Sequence, residues 1–370
     1  MKRRVVPLAR SAPIPSWWQP LFETSGCISV FLSAAWLQSW LEVYGGDFDG
    51  EWVHWEHDGR VVGGCLLLER VIRVKGVPLR SVFLNLTGIA SRPTPLAEFN
   101  DVLHLPGHGD AIAADLAKLL LGKPWSRCFL SGYEDGSVFA SLALHMGSAY
   151  AERETRAAPY LDMSLLGERS FETTLTGSTG TKVRKHRRQC EAQWGPLSAR
   201  PAASLDEALQ FFADLTSLHL ARWEAQGEAT TLSSPDVLDF HQRLIGRLWD
   251  SGSVELVRVG TAERAIGYLY NFIIDRKVFF FQSGFEYEQD ASRSPGMLTH
   301  TLAIEHYRQR AMREYDFLAG DARYKRSLAN SHRDLHWAVL YGDQLWARAF
   351  LFGRRVWSRL ADKKLAAERI

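Results

Sequence analysis

Several classes of protein are excluded by what this 370-residue sequence lacks. No stretch approaches 18 uninterrupted apolar residues, so no membrane-spanning helix is predicted. The cysteines are few, far apart and without a C-x-x-C pair, which predicts isolated, mostly buried thiols in a reducing compartment. There are four of them: Cys27, Cys65, Cys128 and Cys190.

An excess of charge of one sign is also lacking. The chain has 44 Lys and Arg against 42 Asp and Glu, a net charge of +2, which gives no overall electrostatic case for nucleic-acid binding. The N-terminus begins with basic residues, but Pro7, Arg10 and Pro13 interrupt any signal-peptide apolar core. We therefore predict a cytoplasmic protein.

Motifs of common hydrolases, nucleotide-binding proteins and metalloenzymes are missing. There is no G-x-S-x-G motif, and the glycine-bearing turn at 177–182 has too short a spacing for a P-loop. His332 and His336 are spaced i, i+4, but a strand is predicted to begin at His336, so we predict no metal site.

What the sequence does have is an ordinary globular composition, with 46% hydrophobic residues, and a length that suits two domains. A polar segment at 151–159 ends in proline and is the predicted boundary. We predict domains at 1–155 and 156–350 and a basic C-terminal tail at 351–370.

The first half is predicted to follow an extended, proline-rich lead-in over residues 1–25. Ser33 is a predicted N-cap, and the turn at 57–59 is typical of a hairpin. The further predictions are helices at 34–44, 110–121 and 137–146, strands at 51–56, 61–71, 80–86 and 127–131, and a loop at 87–95.

The second half repeats this order, which favours an internal repeat. A glycine-bearing cap at 177–181 is expected before a basic helix, and Ser204 with Glu207 forms a predicted capping box. The predictions are helices at 182–194, 205–223, 235–249 and 297–310, strands at 160–163, 254–259, 265–274, 278–283 and 314–318, and a hairpin of 336–341 with 345–350.

Residues 294–325 carry the chemistry that organises the chain. A helix start after Ser294 offers unpaired N–H groups and a positive dipole end that suit a phosphate. The strand and polar loop that follow bring Asp316, Tyr324 and Lys325 close by in sequence. The alternative is an ordinary helix–strand unit with a solvated loop.

Residues 171–345 resemble a GNAT acyltransferase core, and in particular the cellulose-biosynthesis-type (CelD-like) acetyltransferases related to the Fem peptidyltransferases. The resemblance lies in Gly284, the turn 294–296, Asp316-Phe317, and Gly320 through Tyr324-Lys325, with a similar entry helix at 31–40. It implies an α/β (α+β) fold of two tandem GNAT-like lobes, each a mixed, mainly antiparallel sheet flanked by helices, the N-terminal lobe being degenerate.

The resemblance also implies acyl transfer, in a ternary complex, to an amine or hydroxyl of a small-molecule or polysaccharide-precursor acceptor. A splay between the fourth and fifth strands admits the donor in such folds. The implied donor-binding residues are Gln282, Ser283, Gly284, Phe285, Arg293, Ser294, Pro295, Gly296 and Met297. The expected substrate-binding residues are Trp36, Lys182, Arg184, Gly320 and Arg323.

Three residues are candidates for the chemistry. Lys325 is expected to act electrostatically, because serving as a base near pH 7 would need its pKa lowered by roughly 3 units from about 10.4, about 4 kcal/mol. Asp316 is the candidate base, and Tyr324 a candidate acid or substrate contact. Alternatively, Asp316 is a cap or an ion-pair partner of Arg323 or Lys325.

The donor is expected to be acetyl-CoA or another acyl-CoA, without a metal. However, better-known GNAT enzymes have Q/R-x-x-G-x-G/A where residues 291–296 have a single glycine. Fem enzymes take an aminoacyl-tRNA instead, and Tyr324-Lys325 would correspond to their F-K pair. A non-catalytic protein of exopolysaccharide assembly is a third interpretation. The sequence predicts no oligomeric state.

Overall fold

The computed structural model describes residues 1–9, 13–27, 29–74, 76–85, 92–146, 151–287 and 294–342. The strands in this part of the chain are β1 Lys2–Pro7, β2 Asp49–His57, β3 Arg60–Val74, β4 Val77–Leu84, β5 Leu103–His104, β6 Arg127–Tyr133, β7 Ala151–Asp162, β8 Ser198–Pro201, β9 Val254–Gly260, β10 Ala265–Ile274, β11 Lys277–Phe285, β12 Glu314–Asp316 and β13 Ser331–Tyr341. The α-helices are α1 Trp18–Thr24, α2 Ala34–Tyr44, α3 Gly109–Leu121, α4 Val138–His145, α5 Phe171–Thr174, α6 Gly177–Trp194, α7 Leu205–Glu224, α8 Pro235–Trp249, α9 Pro295–Gln309 and α10 Arg323–Leu328.

All of these strands form one continuous sheet. Its order is β1-β2-β3-β4-β6-β13-β7-β12-β11-β10-β9-β8, with the short β5 paired to β3. Neighbours are antiparallel except β4 with β6 and β11 with β12, which are parallel. The predicted class, a mixed and mainly antiparallel sheet flanked by helices, is confirmed.

The two halves of the chain have the same order of elements, apart from β5 in the first half and α5 and α6, which precede β8 in the second. The N-terminal lobe runs β1, α1, α2, β2, β3, β4, α3, β6, α4, β7, and the C-terminal lobe runs β8, α7, α8, β9, β10, β11, α9, β12, α10, β13. The last strands are exchanged, because β7 pairs with β12 and β13 pairs with β6. Each lobe's sheet therefore contains a strand from the other half of the chain. The predicted domain boundary at residue 155 falls inside one of these strands, β7.

The core consists of three clusters. One lies under both lobes and combines α1, α2, α7 and α8 with strand residues such as Tyr270 and Phe272. On the opposite face, α3 and α4 cover the N-terminal lobe. On that same face, α5, α6 and α9 cover the C-terminal lobe. The shared cluster explains why the lobes pack closely together.

Several of these elements are specified by local signals. The Ser33 hydroxyl accepts a hydrogen bond from the Trp36 amide at 3.2 Å, which caps α2 as predicted. Asp58 and Gly59 have φ of 47° and 75°, the left-handed pair of a tight hairpin. The Ser204 hydroxyl caps α7 by accepting from the Glu207 amide.

Other expectations were wrong. The N-terminal 25 residues are not a simple extended lead-in, since β1 pairs with β2 and α1 follows. Residues 177–181 are the first turns of α6 rather than a separate cap. Gly180 is needed there because a Cβ would lie 2.1 Å from the Leu175 carbonyl oxygen. Tyr324 and Lys325 lie on the short helix α10, not in a loop.

Two further expectations concern the end of the chain. The second strand of the predicted hairpin, at 345–350, and the basic tail at 351–370 lie outside the described residues. Among the helices that the structure describes, none combines the length and the apolar character that crossing a membrane requires.

Candidate active site

A cleft opens in the C-terminal lobe where two parallel strands separate. Residues 277–279 of β11 pair with residues 314–316 of β12. Then β12 ends at Asp316, whereas β11 continues to Phe285. The resulting cleft has a volume of about 540 Å³. This is the splay between the fourth and fifth strands of the lobe that the resemblance to a GNAT core implied.

The walls of the cleft come from both halves of the chain. One wall is the end of β11 at 280–285, and the opposite wall is formed by 317–319 with Tyr324 and Lys325. The C-terminal part of α7 and the segment 94–98 of the N-terminal half complete it. The walls are largely aromatic, with a few charged groups among them.

A tight turn after β12 is organised by Asp316. Leu318 adopts a left-handed conformation with φ of 59°, and its amide donates to Asp316 Oδ1 at 2.6 Å. Burial raises the pKa of Asp316 to about 7, against the opposing effect of Arg333, whose Nη1 is 3.6 Å from Oδ2. Left-handed backbone at a non-glycine residue is strained and needs such support.

This position does not fit the general base that the sequence predicted. Asp316 is fully buried and is not among the described residues that line the cleft. Its partners are the Leu318 amide and Arg333, rather than Arg323 or Lys325. The carboxylate holds the turn in shape.

Lys325 projects from α10 across the turn into the cleft wall. Its Nζ donates to the carbonyl oxygens of Leu318 at 3.3 Å and Ala319 at 2.9 Å. Burial lowers the pKa of Lys325, while Glu98 and Asp316 act in the opposite direction. Gly320, with φ of 131°, leaves room for the ammonium group, since a Cβ there would lie 3.3 Å from Nζ.

Glu98 brings a carboxylate from the N-terminal half into the same wall. Its Oε2 accepts a hydrogen bond from the Ala319 amide at 2.7 Å. Burial raises the pKa of Glu98, against the lowering effects of that hydrogen bond, Lys325 and Arg156. The Glu98 carboxylate and the Lys325 ammonium group therefore both contact the turn that follows β12.

Tyr324 lines the cleft with its ring stacked on a buried histidine. The rings of Tyr324 and His300 are 5.4 Å apart and inclined by 17°. Burial raises the pKa of Tyr324, and burial together with Lys325 lowers the pKa of His300 to about 3. The imidazole is therefore neutral at ordinary pH, and Tyr324 remains a protonated phenol that can donate a hydrogen bond.

His219 on α7 closes another side of the cleft. Its Nδ1 is 3.0 Å from the Ser283 carbonyl oxygen, which can only accept, so Nδ1 carries the proton. The Thr230 hydroxyl, 2.9 Å from Nε2, is then the donor to that nitrogen. Burial lowers the pKa of His219. The side chain ties the loop after α7 to β11.

The residues expected to bind the donor fall into three groups. Gln282, Ser283, Gly284 and Phe285 line the cleft. Ser294, Pro295, Gly296 and Met297 form the start of α9 behind Phe285 and are not among the described lining residues. Arg293 lies outside the described residues.

Two of these glycines have packing reasons. A Cβ at Gly284 would lie 2.2 Å from the Leu215 carbonyl oxygen of α7, and one at Gly296 would lie 2.9 Å from the Phe285 ring. Both positions therefore let helices approach the end of β11 closely.

The expected substrate-binding residues are not brought together. Trp36 is fully buried in the shared core, against Phe31, Phe240, Phe272 and Phe281. Lys182 is exposed on α6, and Arg184 donates to the carbonyl oxygens of Glu172 and Leu175. Arg323 is exposed on α10. Of this group, only Gly320 adjoins the site, through Lys325. Trp36, Lys182, Arg184 and Arg323 are not among the described residues that line the cleft, so their role in substrate binding stays a prediction.

Sequence reasoning missed Glu98 and His219. Neither lies in a recognisable motif: Glu98 follows a loop rich in Gly, Pro, Ser and Thr, and His219 is one polar position on a long helix. Their place in the site follows from the packing of distant segments. No group of three or more His, Cys, Asp or Glu in the described part of the chain has a geometry suited to a metal ion.

Comparison with solved structures supports the fold. FemX is similar with a TM-score of 0.55 and 10% identity, covering 91% of this chain and 97% of that one. L-PGS from Bacillus licheniformis gives a TM-score of 0.52 and 10% identity, covering 92% and 96%. A conserved protein of unknown function from Bacteroides thetaiotaomicron gives 0.50 and 9%, covering 90% and 99%. At these identities the similarity shows the fold alone.

Comparison with protein families identifies the lobe that holds the cleft. No curated protein sequence matches the chain. Residues 177–326, from the start of α6 into α10, match the acetyltransferase (GNAT) domain. The C-terminal lobe therefore contains a GNAT acetyltransferase domain, and the protein that carries it is an enzyme of the acyltransferase class.

Proposed function

We propose that the cleft transfers an acyl group from an acyl-CoA, most simply acetyl-CoA, to an acceptor bound in the same cleft. The observation that carries this proposal is the divergence of β11 and β12 within the GNAT domain. Beyond residue 279, β11 has an edge that β12 does not cover. The walls of the cleft along this edge are largely aromatic. An extended pantetheine arm suits such an edge, because it offers amides to a strand and methylene groups to apolar walls.

The start of α9 is the proposed binding site for the phosphate groups of this donor. The helix begins directly after the end of β11 and its connection, and the Ser294 side chain makes no capping hydrogen bond to the first turn. Unpaired amides and the positive end of the helix dipole suit a pyrophosphate. Gly296 keeps that turn close to Phe285 in the cleft wall.

Within the cleft, we assign Lys325 to the stabilisation of negative charge on the carbonyl oxygen. Its ammonium group is fixed by two carbonyl acceptors at 2.9 and 3.3 Å, so it is preorganised rather than mobile. Asp316 acts indirectly, by holding the turn that supplies those carbonyls. Tyr324 is placed to donate a hydrogen bond to a bound ligand.

The acceptor class follows from the resemblance to cellulose-biosynthesis-type acetyltransferases: a small molecule or a saccharide of a polysaccharide precursor. Such acceptors offer an amine or a hydroxyl group to the acyl carbon.

Thermal unfolding tests the donor. Acetyl-CoA at a hundredfold excess over its Kd is expected to raise the Tm by about 2–5 °C, because binding stabilises the folded state by about 2.7 kcal/mol. Longer acyl-CoA thioesters show whether the cleft prefers a larger acyl group, and free ADP tests recognition of the nucleotide end alone. Absence of protection by every thioester would contradict the proposal.

An aminoacyl-tRNA donor is the second candidate, favoured by the fold similarity to FemX and by the exposed basic side chains of α6. Replacing Lys182, Lys185 and Arg188 with alanine separates the two donors. An acyl-CoA enzyme should keep its rate within about twofold, because α6 packs against α5 and α9 away from the cleft lining. A tRNA-dependent enzyme should lose activity and show a steep salt dependence.

A further inference from the structure

The half of the cleft that lies under α7 and α8 is apolar, and we propose that it binds the body of the acceptor. The acceptor is then a small molecule with an aromatic or branched aliphatic group beside the group that is acylated, rather than a saccharide. This inference rests on the proposed acyl transfer and narrows its acceptor class. We call this half of the cleft the acceptor chamber, and its described lining residues are Phe31, Leu218, Leu232, Val237, His241 and Phe281.

The acceptor chamber and the proposed phosphate site lie on opposite faces of the sheet. Successive side chains of a strand point to opposite faces. At the splay, Phe281 packs in the core cluster of α7 and α8, whereas Phe280 packs in the cluster of α9. A donor whose phosphates bind at the start of α9 therefore presents its acyl carbon through the splay toward the acceptor chamber. The attacking group has to lie on that side.

The floor of the acceptor chamber consists of packed apolar side chains. Phe31, Leu232 and Val237 are each at most 2% exposed. The rings of Phe31 and His241 lie 6.3 and 5.1 Å from the ring of Phe281. Val237 and His241 are four residues apart on α8, so they share a face of that helix. An apolar group bound on this floor is removed from water, which is favourable in proportion to its area.

His241 is the polar side chain of the acceptor chamber, and it carries no charge. Burial lowers the pKa of His241 to about 3, so its imidazole is neutral at ordinary pH. Its Nδ1 lies 3.4 Å from the hydroxyl group of the fully buried Tyr270, which leaves Nε2 as the nitrogen that can meet a ligand. A saccharide would bring several hydroxyl groups to this single partner, and each hydroxyl buried without a hydrogen bond costs free energy.

The acceptor chamber has its own opening to solvent. Four residues that line the cleft beside it are exposed, and they are Leu96, Arg222, Gln226 and Thr231. An acceptor can therefore enter after the donor has filled the splay. A chamber that served only the acyl chain of the donor would need no such opening, so the exposed rim favours the acceptor as the occupant.

The test compares three acceptors that each carry an amine and a hydroxyl group on adjacent carbons, so it does not depend on which group attacks. Phenylalaninol has a benzyl group where alaninol has a methyl group, and glucosamine carries further hydroxyl groups instead. Transfer from acetyl-CoA is measured as thiol release. We expect kcat/KM for phenylalaninol to exceed the values for alaninol and glucosamine by about 10- to 100-fold, the effect of burying a phenylalanine side chain.

The variant Val237→Phe fills the acceptor chamber, and Leu238→Phe is its control. Leu238 is the next residue of α8, is partly buried and is not among the described residues that line the cleft. We expect Val237→Phe to bring the ratio of kcat/KM for phenylalaninol and alaninol below about threefold, and Leu238→Phe to keep it within about twofold of wild type. Acetyl-CoA should still protect Val237→Phe against thermal unfolding, which separates lost acceptor binding from lost folding.

Equal kcat/KM for phenylalaninol and alaninol in the wild type, or transfer to neither, overturns the acceptor chamber. A Val237→Phe variant that keeps the full ratio does the same. A preference for phenylacetyl-CoA over acetyl-CoA that Val237→Phe abolishes assigns the space to the acyl group and also overturns the inference. Absence of protection of the wild type by every thioester contradicts the proposed function instead, so the two failures are distinguishable.

Discussion

The two lobes have the same strand order, but their equivalent grooves differ. In the C-terminal lobe, β11 and β12 pair over three residues and then open into the cleft. In the N-terminal lobe, residues 81–83 of β4 pair with 127–129 of β6 and the strands then separate in the same way. There the gap is filled by the chain itself, by residues 97–104, which we call the plug segment.

Hydrogen bonds hold the plug segment to both strands. Asn100 donates from Nδ2 to the Leu84 carbonyl oxygen at the end of β4, and its backbone amide donates to Gly132 of β6. Asn85 donates to Asn100 Oδ1 and to the Asp101 carbonyl oxygen, and accepts from the Leu66 amide. Backbone carbonyls at the end of β4 and in β6, which a ligand in this groove would meet, are thus already paired with the plug segment.

The comparison separates topology from function. The same strand order gives a ligand-sized cleft in one lobe and a groove occupied by the chain itself in the other, because a short segment supplies the missing hydrogen bonds in the second. The plug segment also carries Glu98 to the Ala319 amide of the other lobe. The degenerate lobe thereby contributes to the site of the intact one.

The largest expected effect comes from removing the ammonium group of the open cleft. Lys325→Met should lower turnover by about 1,000-fold, since a preorganised charge that stabilises an oxyanion is lost. The Tm should fall by a few degrees at most, because two hydrogen bonds to the Leu318 and Ala319 carbonyl oxygens are lost. The control is Lys182→Met, which removes an exposed charge on α6. Activity within a few-fold of wild type in Lys325→Met would contradict the assignment.

The next effect concerns the pH dependence of the turn beside the cleft. The pKa of Asp316 is raised from 3.8 to about 7 by burial. Its contribution to stability is therefore complete below about pH 4 and is lost as the pH rises through 7, by about 4 kcal/mol at most. The free energy of unfolding of wild type minus Asp316→Asn should fall over this range in urea titrations. A flat difference would show that Asp316 has an ordinary pKa.

The smallest effect tests the filled groove of the N-terminal lobe. Asn85→Ala should lower the free energy of unfolding by about 2–3 kcal/mol, because buried hydrogen bonds to the plug segment are lost. Asn330→Ala is the control: its exposed side chain also bonds the backbone, at Asp162, and should cost about 1 kcal/mol or less. Equal losses in urea unfolding would argue against a stabilising role of the plug segment.

Donor stoichiometry sharpens the same comparison. Calorimetry should give one acetyl-CoA per chain in the wild type, because the groove of the N-terminal lobe is filled. Two donors per chain would mean that the plug segment leaves that groove.

The sequence by itself determined most local structure and the repeat. Alternating apolar residues, the Ser33 cap and the turn at Asp58-Gly59 specify elements through interactions within a few residues, so they were predictable. The splay at 282–285 and the cleft-wall position of Tyr324 and Lys325 were also predicted, through the resemblance of residues 171–345 to a known fold.

Only the tertiary structure decided which side chains meet. It buried Trp36 in the core shared by the lobes and Asp316 beneath a turn, and it left Lys182 exposed on α6. It exchanged β7 and β13 between the lobes and placed Glu98 beside residues more than 200 positions later in the chain. Such contacts depend on the packing of whole lobes, and no local periodicity, cap or motif encodes them.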